Sequence, residues 1–319
     1  MTEFELIQKY FAAQPVSRDD VVLGIGDDAA VLAPPAGKHL VVTTDSMIEG
    51  VHFTPETEPE SLGYRALAVN LSDLAAMSAE PAWFFLNLTL PKIDETWVEA
   101  FCRGMFSLAR EFNVHLVGAN TTRGSLSISI EAQGLISEGE AIRRAGAKPG
   151  DGIYVTGTLG DAALALRHRL GRHSLPVADY DVLKPRLDRP TPRVREGMAL
   201  RRIASSAIDV SDGLLADLGH IAEASGVGAL VVRDHVPLSE TYRRHLHEVG
   251  WDHALSGGDD YELLFTAPAH AGRDLQRLLT RFGVGISQIG EMVSGDGVTV
   301  IDTAGNPYRP ATRGHDHFA

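Results

Sequence analysis

Five segments of this chain set carboxylates and hydroxyls into apolar or glycine-rich surroundings. In Gly24-Ile-Gly-Asp-Asp-Ala-Ala-Val-Leu32, Asp27 and Asp28 stand side by side. Adjacent carboxylates repel, so the loop that holds them needs a cation or a turn open to water. Thr43-Thr-Asp45 closes an apolar strand and offers hard oxygens at consecutive positions, the ligand type magnesium takes. In Leu67–Met77, Asn70 and Asp73 are three apart and share one face of an apolar helix, with Arg65 as an alternative local partner for Asp73. In Ile208–Gly213, Asp209 and Ser211 alternate onto one face of a strand end. Asp212 is placed to cap the helix that starts at Leu214, whose N-terminus can also receive a phosphate. Ser256–Phe265 joins a glycine loop to Asp259, Asp260 and Glu262 just before an apolar strand.

Each segment alone is weak evidence. Together they supply oxygen ligands on loops and strand ends from both halves of the chain, which suits a multinuclear magnesium site at a domain interface. Magnesium assembled by dispersed carboxylates serves nucleotide phosphates. Competing chemistries lack their residues. Gly157-Thr-Leu-Gly160 is not followed by the Lys-Ser/Thr of a P-loop, no GxGxxG opens a helix, and no GxSxG elbow occurs. The chain has 13 histidines, but His39, His52, His115, His168, His173 and His220 show no zinc spacing, and Arg313–His317 reads as a polar tail. A single cysteine, Cys102, excludes an intrachain disulfide and a thiolate zinc site. It sits among Trp97, Val98, Phe101, Met105 and Phe106 in a helical pattern, as a buried inert thiol.

The elements that must position these groups follow from periodicity. Phe4, Leu6, Ile7, Tyr10 and Phe11 give a short amphipathic helix over 3–13. Strands are expected at 40–44 and 83–90, with a buried helix at 61–79 between them and another at 94–112 after them. Strands at 115–117 and 126–131 flank a polar loop, 118–124. A composition shift at 137–152 marks the domain boundary near 137, giving domains 1–137 and 138–319. Beyond it, strands at 153–156 and 207–210 each meet a glycine-bearing loop that opens a helix, and Gly226 ends the helix from Leu214. The Arg- and Pro-rich stretch 171–196 reads as helical turns and loops. The fold class is α/β, with mixed sheets in two domains.

At 319 residues, 44% apolar and 22% charged, the chain has ordinary globular composition and the length of two domains. With 29 Lys+Arg against 42 Asp+Glu its formal charge is −13, which repels a polyanion and disfavours nucleic acid as a partner. The N-terminus lacks a signal-peptide pattern and no long apolar run is present, so neither export nor a membrane span is expected. The single thiol suits a reducing cytoplasm.

The run Gly24–Leu32, Thr43–Phe53, Asn70–Ala76, Thr121–Gly124, Ala145–Asp151, Ser206–Gly213, Ser256–Leu264 and Gly314–Phe318 resembles the thiamine-monophosphate kinase family, collinearly and over nearly the whole chain. Several blocks are shared with aminoimidazole ribonucleotide synthetase and selenophosphate synthetase. Ile-Glu-Gly-Val-His-Phe53 and the terminal Asp-His-Phe318 are closer to the kinase. The resemblance implies the two-domain aminoimidazole ribonucleotide synthetase-like fold, ATP as co-substrate, several magnesium ions and phosphorylation of thiamine monophosphate to thiamine diphosphate. It also implies a homodimer built through the N-terminal domains. On the family's pattern Asp28, Thr43, Thr44, Asp45, Asp73, Asn120, Asp209 and Asp212 match magnesium positions. Ala119, Asn120, Arg144 and Ser211 match ATP positions, and His52, Asp259 and Phe318 match substrate positions. No catalytic protein base is expected.

Two departures stand out. Gly118-Ala-Asn-Thr-Thr-Arg123 carries the amide of Asn120 where the family usually has an aspartate, and Asp259 stands where glutamate is common. The rivals are a sibling enzyme that uses ATP to activate an amide oxygen and a noncatalytic nucleotide-binding protein. A selenide-handling sibling would want a reactive cysteine near the N-terminus, where Cys102 is not.

Overall fold

The computed structural model describes residues 2–14, 16–312 and 314. The chain divides into two compact units, one formed by Met1–Leu74 with Ala79–Gly139 and the other by Ala75–Ser78 with Glu140–Ala319.

The first unit opens with α1 (Glu3–Leu6), started by a capping box between Thr2 and Glu5, and continues as a π-helix over Ile7–Phe11. Leu6, Tyr10 and Phe11 are its buried residues, as the spacing predicts, while Phe4 is exposed. Strands β1 (Val21–Leu23) and β2 (Val31–Leu32) form an antiparallel hairpin. There follow β3 (Lys38–Ile48), α2 (Pro59–Ala76), β4 (Glu80–Leu90), α3 (Glu95–Glu111), β5 (His115–Arg123) and β6 (Ser127–Ser137). The four long strands make one sheet in the order β3-β6-β4-β5, in which only β4 and β5 run parallel.

Asp94 caps α3 through the amides of Thr96 and Trp97. The two helices touch backbone to backbone. A Cβ on Gly63 would lie 2.0 Å from the Phe101 carbonyl oxygen, and one on Gly104 would lie 1.8 Å from that of Glu60. Glycine at both positions is what lets α2 and α3 approach so closely. Cys102 is buried on α3, and that burial pushes its thiol up to about 12, which makes it unreactive.

In the second unit β7 (Asp151–Thr156) leads to α4 (Asp161–Arg169), α5 (Val177–Asp188) and α6 (Val194–Ala199). The Arg- and Pro-rich stretch is thus largely helical. Then come β8 (Ser206–Asp209), α7 (Leu214–Ser225), β9 (Gly228–Val232), α8 (Glu240–Val249), α9 (Asp252–Ser256), β10 (Leu263–Pro268), α10 (Gly272–Thr280), β11 (Ile286–Val293), β12 (Val298–Ile301) and β13 (Pro307–Tyr308). Seven of these strands form a mixed sheet in the order β13-β12-β9-β11-β7-β10-β8. Its core includes Ile153, Val155, Leu218, Ile221, Val231 and Ile289. Gly226 ends α7 in the left-handed conformation at φ 66°, as a C-terminal glycine should. Among the described residues no helix is long and apolar enough to cross a membrane.

Candidate active site

In the first unit the paired acids Asp27 and Asp28 lie exposed in the loop that joins β1 to β2, with the Asp28 amide donating to Asp27 Oδ1 at 2.9 Å. Strand β3 alternates, as a half-covered strand must. Thr43, Asp45 and Met47 point to the side that packs on α2, and Thr44 and Ser46 to the open side. Thr43 Oγ1 donates to Asp73 Oδ2 of α2, so a strand hydroxyl and a helix carboxylate meet. One turn before Asp73, the buried amide of Asn70 donates from Nδ2 to the Ala66 carbonyl at 3.0 Å, and its Oδ1 accepts nothing. That leaves an acceptor oxygen with no donor on the same side of α2 as Asp73. The donor set here is hydroxyl, carboxylate and amide oxygen, which fits magnesium.

The open face carries a polar row fixed by register: Ser46 opposite Ser129, Ser129 opposite Asn87, and Asn87 opposite Asn120. Ser46 and Ser129 hydroxyls bond at 2.7 Å. The polar stretch 118–124 is therefore not a loop, because pairing with β4 carries β5 on through Arg123. Asn120 is exposed on β5, the edge opposite β3, and three strand spacings of about 4.8 Å put them roughly 14 Å apart. Within this unit Thr43 and Asp73 come together with Asp45 on the same side, while Thr44 and Asn120 face the open side from opposite edges. Ala119, next to Asn120, points to the side of Leu86. His52 follows β3 in a turn, and its Nδ1 accepts the Ile48 amide at 3.1 Å. A ring that accepts at Nδ1 keeps its proton on Nε2.

In the second unit, Asp209, Ser211, Asp212 and Asp259 gather where β8 ends and β10 begins. The strand ladder extends past Asp209: the Val210 amide donates to the Glu262 carbonyl at 2.8 Å, that of Tyr261 to Val210 at 2.8 Å, and that of Asp259 to Ser211 at 2.9 Å. Asp259 and Tyr261 take positive φ, 69° and 50°, to make this turn. The adjoining glycines are required by close approach. A Cβ on Gly258 would lie 2.3 Å from the Ser211 carbonyl oxygen, and one on Gly213 2.7 Å from the Ser256 backbone.

Asp212 does not cap α7. The cap residue is Gly213, and the amides of Asp212 and Gly213 donate to Asp217 Oδ2 at 3.3 and 3.1 Å. Asp217, the fourth residue of α7, reaches back one turn to these amides, and this also pairs amides that a phosphate would otherwise need. Burial, then the neighbouring Asp212 carboxylate, pushes Asp217 up to about 7. The Asp212 carboxylate is left out of the cap. Arg144 is exposed, and its carbonyl accepts from Ser225 at the far end of α7, a helix length of about 18 Å from Asp212. Phe318 lies outside the described residues.

The three acids of this segment, of which only Asp259 matches a position of the family's pattern, differ sharply in surroundings. Only Asp259 is partly exposed. Asp260 is buried and accepts the Gly160 amide at 2.8 Å, and burial pushes it well above the ordinary carboxylate range. Glu262 is fully buried and takes Arg193 Nε and Nη2, Arg186 Nη2 and the Thr156 hydroxyl, at 2.6 to 2.7 Å. Burial alone would raise it, but Arg193, Arg186 and Thr156 more than reverse this and hold it below its usual range. The arginines of 171–196 were the available signal for this network, since two buried guanidinium groups need a carboxylate.

Comparison with known proteins bears on both units. The AIR synthase related protein N-terminal domain family matches residues 26–136, and the corresponding C-terminal domain family matches residues 148–303. Thiamine-monophosphate kinase of Salmonella typhimurium is 47% identical over 322 residues, covering 99% of this chain and 98% of its own. That of Escherichia coli K12 is 47% identical over 320 residues with the same coverage. The crystal structure of thiamine-monophosphate kinase from Stenotrophomonas maltophilia superposes with a TM-score of 0.88 at 48% identity, over 97% of this chain and 98% of the other. A structure described as AaThiL complexed with AMPPCP and TMP gives 0.78 at 31% identity, over 98% and 96%.

Proposed function

This chain belongs to the thiamine-monophosphate kinase family, and on that premise we propose that it transfers the γ-phosphoryl group of ATP to thiamine monophosphate, giving thiamine diphosphate and ADP. The observation that carries the reading is near-half identity to such kinases over essentially the full length of both chains. The two-domain AIR synthase-like α/β fold is theirs as well.

A phosphate monoester has a second pKa of about 6 and is largely dianionic at neutral pH, so the attacking oxygen needs no protein base. What it needs is relief from repulsion by a second polyanion and alignment for in-line attack. Magnesium, when bound, supplies the neutralising charge. In the first unit Asp28, Thr43, Thr44, Asp45, Asp73 and Asn120 are its proposed ligands. In the second unit they are Asp209 and Asp212. The Thr43–Asp73 contact and the orphaned Asn70 oxygen support the first set, and the exclusion of Asp212 from the helix cap supports the second.

Ala119, Asn120, Arg144 and Ser211 are proposed to contact ATP. Arg144 would fork onto phosphate oxygens with its guanidinium. His52, whose Nδ1 accepts the Ile48 amide, would donate from Nε2 to the acceptor rather than abstract from it. Asp259, presented by a strained turn, and Phe318 complete the acceptor contacts.

A second copy of the chain is the proposed partner. Leu40, Val42 and Ile48 point from one side of edge strand β3 and are 47%, 54% and 42% exposed, which is apolar surface for an N-terminal-unit dimer to cover. The cytoplasm is its proposed location. A coupled ADP-release assay with thiamine monophosphate, thiamine and amide acceptors tests the function. Turnover only with the monophosphate is expected, and turnover only with an amide acceptor would replace this reading with that of the sibling enzyme.

A further inference from the structure

The histidines show no zinc spacing in the sequence, yet the fold gathers two of them with a carboxylate in the second unit. His173 lies in the connection between α4 and α5, and His245 and Glu248 lie one turn apart on α8. One potential ligand atom from each of the three falls within 4.8 Å of the others. His173 Nε2 is shielded from solvent, makes no hydrogen bond, and stands 3.7 Å from Glu248 Oε2. That gap is too long for a hydrogen bond. It is close to the roughly 3.4 Å between two donors on a tetrahedral zinc with bonds of about 2.0–2.2 Å.

The surroundings are those of a metal site. Asp179, in the first turn of α5, holds His245 Nε2 at 2.7 Å, so a metal would take Nδ1, with the carboxylate fixing the ring from its other nitrogen. Arg244 neutralises Asp179 through its other oxygen at 2.6 Å, and His247 engages Glu248 Oε1 at 3.3 Å, which leaves Oε2 toward His173. Imidazole with one carboxylate selects zinc over magnesium, so this cluster differs in chemistry from the oxygen-only acids described above.

We propose that His173, His245 and Glu248 bind a zinc-class transition metal with water as the fourth ligand, clipping the α4–α5 connection onto α8. The full-length protein, stripped by chelator, is titrated with zinc by calorimetry in excess magnesium, and with cobalt by visible absorption. One equivalent of zinc is expected, with tetrahedral cobalt bands. His173→Ala and Glu248→Gln should each weaken zinc at least tenfold, and Asp179→Asn about 10–100-fold. Circular-dichroism melts of His173→Ala and Glu248→Gln should match wild type without zinc, and a given zinc concentration should raise wild type more than either variant. Absence of zinc binding by wild type overturns the proposal. So does binding that survives His173→Ala and Glu248→Gln unchanged, which would place the metal elsewhere, for instance on the terminal His315 and His317.

Discussion

Arg193 grips Glu262 with two nitrogens, Nε on Oε2 and Nη2 on Oε1, each at 2.6 Å. The carboxylate is fully buried and sits three residues after Asp259, so this pair anchors the end of the turn that presents the proposed acceptor contact. Replacing Glu262 takes away the carboxylate that Arg186 and Arg193 both bond, leaving Arg193 with the longer Glu196 contact at 3.9 Å. For Glu262→Gln we expect a loss of about 3–5 kcal/mol in urea unfolding, the usual cost of breaking a buried pair on one side. A loss within the range of a surface substitution would show that water reaches these guanidinium groups.

Gly258 is fixed by the Ser211 carbonyl, which an added Cβ would meet at 2.3 Å. Gly258→Ala must displace the Asp259 amide from that carbonyl. The expected cost is about 1–3 kcal/mol in stability, with a rise in KM for the acceptor larger than that for ATP. Gly26→Ala makes a comparison, because a Cβ there meets nothing within 4 Å although its φ of 135° carries local strain.

Asn120 is exposed on β5, so a charge placed there costs the fold little. Asn120→Asp restores the carboxylate usual in the family and should lower the magnesium concentration for half-maximal rate. An unchanged requirement would remove Asn120 from the ligand set.

On the proposed function His52, whose Nδ1 already accepts the Ile48 amide, would donate from Nε2 to a phosphate or to the thiamine moiety rather than act as a base. His52→Ala should raise the acceptor KM about ten- to a hundredfold, the worth of one hydrogen bond to a charged group at about 1.5–3 kcal/mol. The wild-type rate profile should show no bell set by a histidine. A fall in kcat alone would assign His52 a proton-transfer step.

Much of this was legible in residue order. Apolar periodicity located α2, α3, β3 and β4 to within a few residues, since each buries a regular stripe. It failed at 118–124, where pairing with β4 makes a strand of polar residues: Asn120 and Thr122 face the open side, and Thr121 is a buried hydroxyl where an apolar residue would have marked the stripe. The acids were visible as a set, but their duties were not. The helix starts at Leu214 as expected, but its cap position falls on Gly213, so Asp217 and not Asp212 serves the adjoining amides, and Asp259 differs from Glu262 through arginines some seventy positions away. The His173 and His245 cluster was invisible for the same reason.

The proposed reaction joins phosphate to phosphate. Phosphorus NMR of the full-length protein with ATP, magnesium and thiamine monophosphate tests it most directly. Loss of the monophosphate resonance is expected, with thiamine diphosphate and ADP appearing in equal amounts. ADP with orthophosphate, and thiamine monophosphate left intact, would contradict it.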